Sequence, residues 1–257
     1  LADHSTRLLR NAKLLPAALM ARLPFRDIVV QDRFAQEHNI LVLEARDLES
    51  YHHQAGAMVR IATRAQVPLA VAEDAEVVMF RAEIGGEDHF AVLIGKGTKL
   101  EAPLVRLHSQ CITGDVLGSL KCDCGNQLQA AMELMAKNGG GVLIYLAQEG
   151  RDIGLLNKMR AYALQDNGLD TVDANHALGF DTDERVFLPA ARILDALGIT
   201  RLRLITNNPD KISQLEQCGI KVEERVPLQL ASNPHNEDYL ATKKHRTGHM
   251  IADKDKG

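Results

Sequence analysis

The stretch Gly141-Val-Leu-Ile-Tyr-Leu146, followed by Ala147-Gln-Glu-Gly-Arg-Asp-Ile-Gly154, decides the fold class of this chain. The first six residues form a short apolar run that predicts a buried strand, and the polar, glycine-containing residues after it predict a loop. A helical pattern then covers Leu155 to Gln165. A strand that runs into such a loop and a helix is typical of layered α/β domains, where these loops meet polar or anionic ligands.

The same alternation continues along the second half of the chain. It predicts helices and strands in turn: helix Gln127–Lys137, helix Glu184–Leu197, strand Arg201–Thr206, helix Lys211–Gln217 and strand Lys221–Val226. Earlier, between Val67 and Gly97, the runs Val77–Arg81 and Phe90–Ile94 predict an antiparallel hairpin system. We therefore expect an α/β fold, layered α/β/α, with a mixed sheet.

The first 59 residues have a different character. A Leu- and Ala-rich pattern from Ser5 to Leu23 predicts one or two amphipathic helices, and Ile40–Leu43 predicts a short strand. The pair His52 and His53 is interpreted as solvated surface. We expect a small helical N-terminal extension over residues 1–59, followed by the α/β domain over residues 60–257.

Composition and charge limit the classes of partner. The chain has 257 residues, 46% of them hydrophobic, and 30 basic against 34 acidic residues give a net charge of −4, which supplies no broad footprint for nucleic acid. Tryptophan is absent and aromatic residues make up 4%, which argues against a platform for stacking single strands. No apolar run reaches about 18 residues and no signal-peptide pattern opens the chain, so we expect a cytoplasmic protein without a membrane span.

Three of the four cysteines, Cys111, Cys122 and Cys124, lie within 14 residues of one another. Thiolates select zinc, and three protein ligands leave a fourth position for water, as catalytic zinc sites do. Gly114, Gly118 and Gly125 are expected to give the loop its backbone freedom. Two alternatives remain open: a structural zinc site whose fourth ligand is His108 or Cys218, and three reduced thiols without metal.

Two strand-to-helix turns predict a nucleotide site. In the first, Glu149 has the chemistry to accept hydrogen bonds from a purine and Arg151 to hold a phosphate. The second is Thr206-Asn-Asn-Pro209, with Lys211 in the following helix. Both patterns also occur in ordinary turns. By themselves, the acidic residues of Asp181–Arg185 indicate the N-cap of the following helix. The position of Tyr162 within a predicted helix indicates an aromatic side chain packed in the core.

Taken together, five blocks resemble the GTP cyclohydrolase II family of riboflavin biosynthesis. They are Arg106-Leu-His-Ser-Gln-Cys111 with its continuation to Asp115, Lys121-Cys-Asp-Cys-Gly125, Gln148-Glu-Gly-Arg-Asp-Ile-Gly-Leu-Leu-Asn-Lys158, Arg160-Ala-Tyr-Ala-Leu-Gln165, and Thr206-Asn-Asn-Pro209. The resemblance extends over roughly Arg60 to Met250, about three quarters of the chain.

The resemblance implies a set of functional residues. One Zn²⁺ per chain would be held by Cys111, Cys122 and Cys124 with a water as fourth ligand, and Mg²⁺ would accompany the triphosphate. The implied catalytic residues are Tyr162, Asp183 and Arg185. The implied contacts to GTP are Arg106, Leu107, His108, Ser109, Gln110, Gln127, Glu149, Gly150, Arg151, Thr171, Thr206 and Lys211. A homodimer is implied as well.

The implied reaction is zinc-dependent hydrolysis of the guanine imidazole ring, in which zinc-activated water attacks carbon 8. Formate and pyrophosphate leave, giving a diamino-ribosylamino-pyrimidinone monophosphate. The family account makes Arg185 a nucleophile toward the α-phosphorus, with Asp183 as the candidate base. The alternative for Arg185 is charge stabilisation at the phosphate. Tyr162 would hold or polarise the purine or the attacking water.

The sequence departs from the family pattern at three places. Gln110 stands where many relatives have Glu, and Ala147 where many have Arg, so each change removes a charge beside the expected site. Residues 1–59 lack the acidic cluster and phosphate loop of dihydroxybutanone phosphate synthase, which precedes the cyclohydrolase in fused relatives; we expect a remnant or a dimerisation element.

Two alternatives to the implied GTP cyclohydrolase II activity remain open. Under these alternatives, the chain is either a paralogue that acts on a related purine nucleotide or a non-catalytic nucleotide-binding regulator.

Overall fold

A computed structural model describes residues 2–83, 87–230 and 232–237, together with 242, 246, 248 and 250. Seven strands form one sheet in the order β1-β2-β3-β5-β4-β6-β7. Their bounds are β1 Val59–Gln66, β2 Glu76–Ala82, β3 His89–Gly95, β4 Leu104–Ser109, β5 Gly140–Leu146, β6 Arg201–Ile205 and β7 Lys221–Val226. The side chains of His52 and His53 lie outside the described part of the chain.

The sheet is mixed, as predicted. Strands β1, β2, β3 and β5 pair antiparallel in succession, whereas β5, β4, β6 and β7 run parallel. The carboxyl ends of β5, β4 and β6 therefore meet at one edge, where the loops after parallel strands commonly build a binding site. The sequence did not predict β4, the strand between β5 and β6, because Arg106 and His108 interrupt its apolar pattern although both are buried.

Nine α-helices lie among the described residues. Three occupy the front segment, defined as residues 2–58: α1 Ala2–Asn11, α2 Ile28–Glu37 and α3 Ala45–Ala57. The others are α4 Ile112–Asp115, α5 Cys124–Lys137, α6 Gly154–Gln165, α7 Thr171–Ala177, α8 Leu188–Ala196 and α9 Pro209–Gln217. Helix α8 begins four residues later than predicted. Phe187 stands at its N-cap position without a side-chain cap, so the expected cap from the Asp181–Asp183 residues is wrong.

Helices cover both faces of the sheet, which confirms the α/β/α layering. On one face α8 packs its buried Ala190, Ile193 and Leu194 against strand residues such as Val105 and Ile144. On the other face α5 contributes Met132 and Met135 to a second core. The apolar side chains buried on both faces of β4 and β5 hold these strands in place, and with them the carboxyl-terminal loops that follow.

The front segment is helical, as predicted, but its expected strand is wrong and its first helix is shorter than expected. Ile40–Leu43 forms no strand; each side chain is at least half exposed, and no described strand pairs with it. Helix α1 ends at Asn11, and residues 12–23 are not helical. Helix α2 begins after Asp27, whose carboxylate accepts hydrogen bonds from the amides of Val29 and Val30.

None of the described helices is long and apolar enough to cross a lipid bilayer.

Candidate active site

The three predicted ligand cysteines come together in space. Cys111 follows β4, Cys122 lies in the turn before α5, and Cys124 is the first residue of α5. Their sulfur atoms all lie within 4.8 Å of one another, and Cys111 Sγ and Cys122 Sγ are 3.7 Å apart. Within the described part of the chain, no fourth His, Cys, Asp or Glu joins this cysteine cluster. This donor set fits one thiophilic metal ion with an open position.

Two glycines let the backbone approach the cysteine cluster. A Cβ at Gly114 would lie 2.8 Å from Cys122 Sγ and 3.1 Å from Cys111 Sγ, and a Cβ at Gly125 would lie 2.2 Å from the Gly114 carbonyl oxygen. Only Gly118 of the three predicted loop glycines has a left-handed backbone, with φ 65°. Gly114 and Gly125 are therefore required for space and not for backbone freedom.

A buried lysine contacts the cluster. Lys158 on α6 places Nζ 3.1 Å from Cys111 Sγ, 2.8 Å from Thr113 Oγ1 and 2.7 Å from Glu149 Oε1. The other Glu149 oxygen accepts a 2.7 Å hydrogen bond from the Ile112 amide. Lys158 and Glu149 thus tie α6 and the loop after β5 to the cysteine loop, and Lys158 supplies a cation beside the sulfurs.

The ionisation of these groups follows from their contacts. Hydrogen bonds with the Cys122 and Cys124 sulfurs lower the pKa of Cys111, despite burial, and the Lys158 charge lowers it further. Burial acts to lower the pKa of Lys158, but the hydrogen bond to Glu149 and the Cys111 charge outweigh burial and raise it. The thiolate is the form in which cysteine binds a metal, and the neighbouring ammonium of Lys158 stabilises it.

Asp115 braces the first cysteine from behind. Its carboxylate accepts hydrogen bonds from the Cys111 amide at 3.0 Å and from the Tyr145 hydroxyl at 2.8 Å, and His108 Nε2 lies 3.1 Å from both of its oxygens. His108 is buried. Its ring is thus engaged with Asp115 and is not part of the cysteine cluster.

Arg106 on β4 connects β6 to α5 and, through Gln127, to Asp123 between the last two cysteines. Its guanidinium donates to the Ile205 carbonyl at 3.0 Å and to the side-chain oxygen of Gln127, which in turn donates to Asp123. Arg106 Nε is buried and has no hydrogen-bond partner among the described residues. A buried, unsatisfied N–H of a cation is suited to an anionic or carbonyl group of a ligand.

Asp183 and Arg185 form a bidentate pair in the loop before α8. Arg185 donates to the Asp183 carboxylate through Nε at 2.8 Å and Nη2 at 2.6 Å, and through Nη1 to Ser109 Oγ at 3.3 Å. Burial acts to raise the pKa of Asp183, but the hydrogen bonds and charge of Arg185 outweigh burial and hold it below its usual value. The pair is therefore ionised and reaches the end of β4.

The loop after β5 has an unusual backbone. Gly150, Arg151, Asp152 and Gly154 have φ values of 66°, 61°, 74° and 82°. For Arg151 and Asp152 this left-handed conformation is unfavourable, so surrounding contacts must maintain it. Arg151 Nη1 donates to the Thr182 carbonyl at 2.9 Å, and its own carbonyl accepts from the Glu184 amide at 3.2 Å. We call residues 149–154 and 179–187 the paired loops.

The remaining predicted binding residues lie on neighbouring elements. Lys211 is buried and donates to the Leu107 carbonyl at 2.7 Å. Thr206 Oγ1 accepts from the Asn208 amide at 3.0 Å in the turn before α9. The Gln110 amide donates to the Leu146 carbonyl at 2.8 Å. Thr171 begins α7, and among the described residues no side-chain hydrogen bond connects it to another predicted site residue.

Tyr162 lies on α6, one turn after Lys158. Its ring centre is 5.7 Å from Lys158 Nζ and 5.1 Å from Lys121 Nζ. Both ammonium groups lie over the ring within cation–π distance, where the electron-rich face of the Tyr162 ring attracts them. Tyr162 is half-buried and stands at the cysteine end of the site, not in the core as its sequence position alone suggested.

An open cleft of about 590 Å³ adjoins the paired loops. Its lining is polar and charged and consists of His176, Asp181, Thr182, Asp183, Asn208, Asp210 and Arg246. Arg246 forms ion pairs with Asp170 and Asp173 at one side of it. The structure therefore places Asp183 at a ligand-accessible surface.

A family comparison agrees with this geometry. Residues 59–227 match the family model described as GTP cyclohydrolase II. The chain belongs to the GTP cyclohydrolase II family. This confirms the family predicted from the five motif blocks, and the match includes the cysteine cluster and the paired loops.

Three relatives illustrate the extent of similarity. GTP cyclohydrolase-2 of Azospirillum brasilense is 51% identical over 245 residues, which cover 95% of this chain and 63% of that protein. GTP cyclohydrolase-2 of Pseudomonas entomophila is 52% identical over 178 residues, 69% of this chain and 87% of that protein. The riboflavin biosynthesis protein RibBA of Cytophaga hutchinsonii is 44% identical over 236 residues, 92% of this chain and 57% of that protein.

The chain thus spans about three fifths of the length of several curated relatives that it matches. The backbone amide of Ala147, one of the two single-residue departures expected from the family pattern, donates a 3.1 Å hydrogen bond to His89 Nδ1, and burial lowers the pKa of His89. A neutral imidazole therefore lies beside the backbone at Ala147.

Sequence reasoning missed two residues that contact Cys111, namely Lys158 and Asp115. In the sequence, Lys158 is only one residue of a longer motif, although it stands four residues before Tyr162 and therefore on the same face of α6. Asp115, four residues after Cys111, is likewise only part of a motif. Helical spacing relative to Tyr162 was a signal that could have drawn attention to Lys158, whereas the sequence predicts a loop and no helix after Cys111, so no comparable signal indicated Asp115.

Proposed function

We propose that this chain catalyses the hydrolytic opening of the imidazole ring of GTP, releasing formate and pyrophosphate. The product would be 2,5-diamino-6-ribosylamino-4(3H)-pyrimidinone 5′-phosphate, and the reaction would be the first committed step of riboflavin biosynthesis. The observation that carries the proposal is the cysteine cluster, three sulfurs within 4.8 Å with a lysine in contact, in a chain of this family.

Cys111, Cys122 and Cys124 would hold one Zn²⁺, since thiolates favour this metal. When bound, zinc with three protein ligands supplies a Lewis acid that lowers the pKa of a coordinated water to about 7. The chain contributes the surroundings: Lys158 offsets the negative charge of the thiolates, and Asp115 fixes the Cys111 backbone. Glu149 holds the cysteine loop through the Ile112 amide.

Arg185 would bind the phosphate as a charged group. Asp183 holds Nε and Nη2 of its guanidinium, and a carboxylate whose pKa is lowered is a weak base. This arrangement favours stabilisation of negative charge on the phosphate over deprotonation of Arg185 for nucleophilic attack. Arg151, tied to the same loop through Thr182, would add a second cation.

Tyr162 would orient the purine or the attacking water at the cysteine end of the site. The other proposed contacts to GTP are Arg106, Leu107, His108, Ser109, Gln110, Gln127, Glu149, Gly150, Arg151, Thr171, Thr206 and Lys211. Arg106 supports this role because its Nε is buried without a partner among the described residues. Mg²⁺ would accompany the triphosphate, and the acidic side chains of the open cleft suit a hydrated divalent cation.

Residues 60–257 would form the catalytic domain, and residues 1–59 an extension without a second activity. We also propose a cytoplasmic homodimer. Size-exclusion chromatography with light scattering on the chain would test whether it forms the proposed dimer.

The experiment that tests the reaction combines GTP, magnesium and the purified protein with its zinc content measured. Ultraviolet absorbance follows conversion of the purine to a pyrimidine, while formate and pyrophosphate are assayed separately. We expect both products in equal amounts with about one zinc per chain. Pyrophosphate without formate would reject ring opening and point to an altered paralogue; bound nucleotide without either product would point to a non-catalytic regulator.

A further inference from the structure

We propose that Arg10 and Lys13 of the front segment are positioning residues that hold the paired loops in their ligand-binding arrangement. This inference rests on the proposed function, because it concerns the same nucleotide site. It also assigns a task to a segment in which the sequence alone indicated no chemistry. Neither residue belongs to the stretch that matches the family model, which begins at residue 59.

Lys13 attaches to the first of the paired loops. Its Nζ lies 3.2 Å from Asp152 Oδ1 and 3.1 Å from Glu87 Oε1, and its carbonyl accepts a 2.8 Å hydrogen bond from Asn157 Nδ2 on α6. Its side-chain carbons lie close to Gly154, since a Cβ added to Gly154 would be 3.4 Å from Lys13 Cβ and Cδ. One residue therefore contacts the strained turn, the start of α6 and the loop before β3.

Arg10 attaches to the second of the paired loops. Its Nη1 lies 3.1 Å from Asp181 Oδ2 and 3.8 Å from Glu184 Oε1. Glu184 in turn accepts from the Asp181 amide, and its own amide donates to the Arg151 carbonyl. Arg10 thus reaches the hydrogen bonds that connect the two loops, within two residues of Asp183.

The packing of the chain after α1 reinforces these ion pairs. A Cβ on Gly179 would lie 2.7 Å from Pro16 Cγ, so the front segment touches the second loop directly at a residue whose φ is 84°. Lys13 itself has a left-handed backbone, with φ 56°. A short stretch of chain, residues 10–16, therefore spans both paired loops from outside.

The backbone of the first loop explains why such support matters. Arg151 and Asp152 are non-glycine residues with a left-handed backbone. This conformation is unfavourable for them, so their backbone would relax to another conformation if no contacts opposed it. The side chain of Asp152 is held by Lys13 and the carbonyl of Arg151 by the second loop, which Arg10 contacts. Loss of these contacts would let Arg151 leave the position at which the proposed phosphate would bind.

The test uses the full chain with Lys13→Met, Arg10→Met and the double variant. Arg7→Met is the control for loss of a cation from the front segment, because Arg7 is exposed and lies on α1 together with Arg10. We measure kcat and KM for GTP, zinc content, thermal stability, and hydrogen exchange of residues 149–154 and 179–187. Lys13→Arg, which keeps the cation, serves as the rescue variant.

We expect the double variant to raise KM by about 10-fold, as it would if the loops kept the binding-competent arrangement about a tenth of the time. Its kcat, zinc content and melting temperature should stay near those of the Arg7→Met protein, exchange of the paired loops should quicken, and Lys13→Arg should retain most of the affinity. Unchanged KM and exchange would overturn the inference. So would a parallel loss of zinc, stability and kcat, which indicates a purely structural role.

The experiment distinguishes failure of this inference from failure of the proposed function. If the unaltered protein does not turn over GTP, the proposed function fails, and hydrogen exchange alone then decides the inference. Faster exchange confined to the paired loops in the Lys13→Met and Arg10→Met proteins would still support positioning. Exchange equal to that of the Arg7→Met protein would reject it.

Discussion

The cysteine cluster and the paired loops are built in opposite ways. The cluster draws its sulfurs from 14 consecutive residues, packs them against Gly114, and buries a lysine and a glutamate behind them. The paired loops are far apart in the chain, contain left-handed non-glycine residues, and are held from outside by the front segment. A local site is recognisable as a motif, whereas an assembled site depends on contacts between distant residues.

The largest effect should come from Cys122→Ser. Removing one of three thiolate ligands should abolish zinc binding and reduce ring opening below detection, while the fold persists because two separate cores support the sheet. Zinc analysis, circular dichroism and formate release measure the three properties. Cys218→Ser, outside the cluster, is the control, and an active zinc-free Cys122→Ser protein would contradict the assigned role.

Arg185→Lys probes the paired loops with a change that keeps the charge. Lysine lacks the planar fork that Asp183 binds at two positions, so the cation would lose its orientation. We expect kcat to fall by about 10²- to 10³-fold with zinc content unchanged. Arg192→Lys on the surface of α8 is the matched control. Equal rates for the two variants would mean that Arg185 does not act on the substrate.

Lys158→Met tests whether the cluster depends on its buried cation. The change leaves Glu149 buried without its partner, which should cost about 3–5 kcal/mol of unfolding free energy. It should also weaken zinc binding by about 10- to 100-fold, as loss of a residue beside metal ligands does. Denaturant unfolding and a zinc competition assay measure the two effects.

The control for this variant is Lys137→Met, whose exposed ion pair with Glu133 should contribute at most about 1 kcal/mol. If Lys158→Met loses stability but binds zinc normally, then Lys158 serves the fold and not the cluster.

The smallest effects separate two glycines of the same loop. Gly114→Ala would place a methyl group against two sulfurs, at a cost of about 1–3 kcal/mol, and should weaken zinc binding. Gly118→Ala meets no atom within 4 Å but strains a left-handed backbone, at a cost of about 1–2 kcal/mol. Both should lower the melting temperature slightly. Equal zinc affinity in the two variants would contradict the close packing at Gly114.

The sequence predicted the fold well where local patterns are strong. Strand Lys221–Val226 and the carboxyl ends of helices α5, α6 and α9 agree with the structure. It failed where burial or neighbouring strands decide: β4 carries a buried Arg and His that break its apolar pattern, and Ile40–Leu43 is apolar but pairs with no strand in the described part of the chain. Apolar patterning reports how hydrophobic a segment is, but not which strands adjoin it.

What the sequence by itself determined is the family, the α/β class and the three cysteines, because ligand spacing and motif order are local properties of the chain. Only the tertiary structure decided that Lys158 contacts the sulfur of Cys111, and that Arg10 and Lys13 contact the paired loops. These contacts join residues up to 171 positions apart. Such pairs are set by how the helices and loops pack around the sheet, and no short stretch of sequence contains that information.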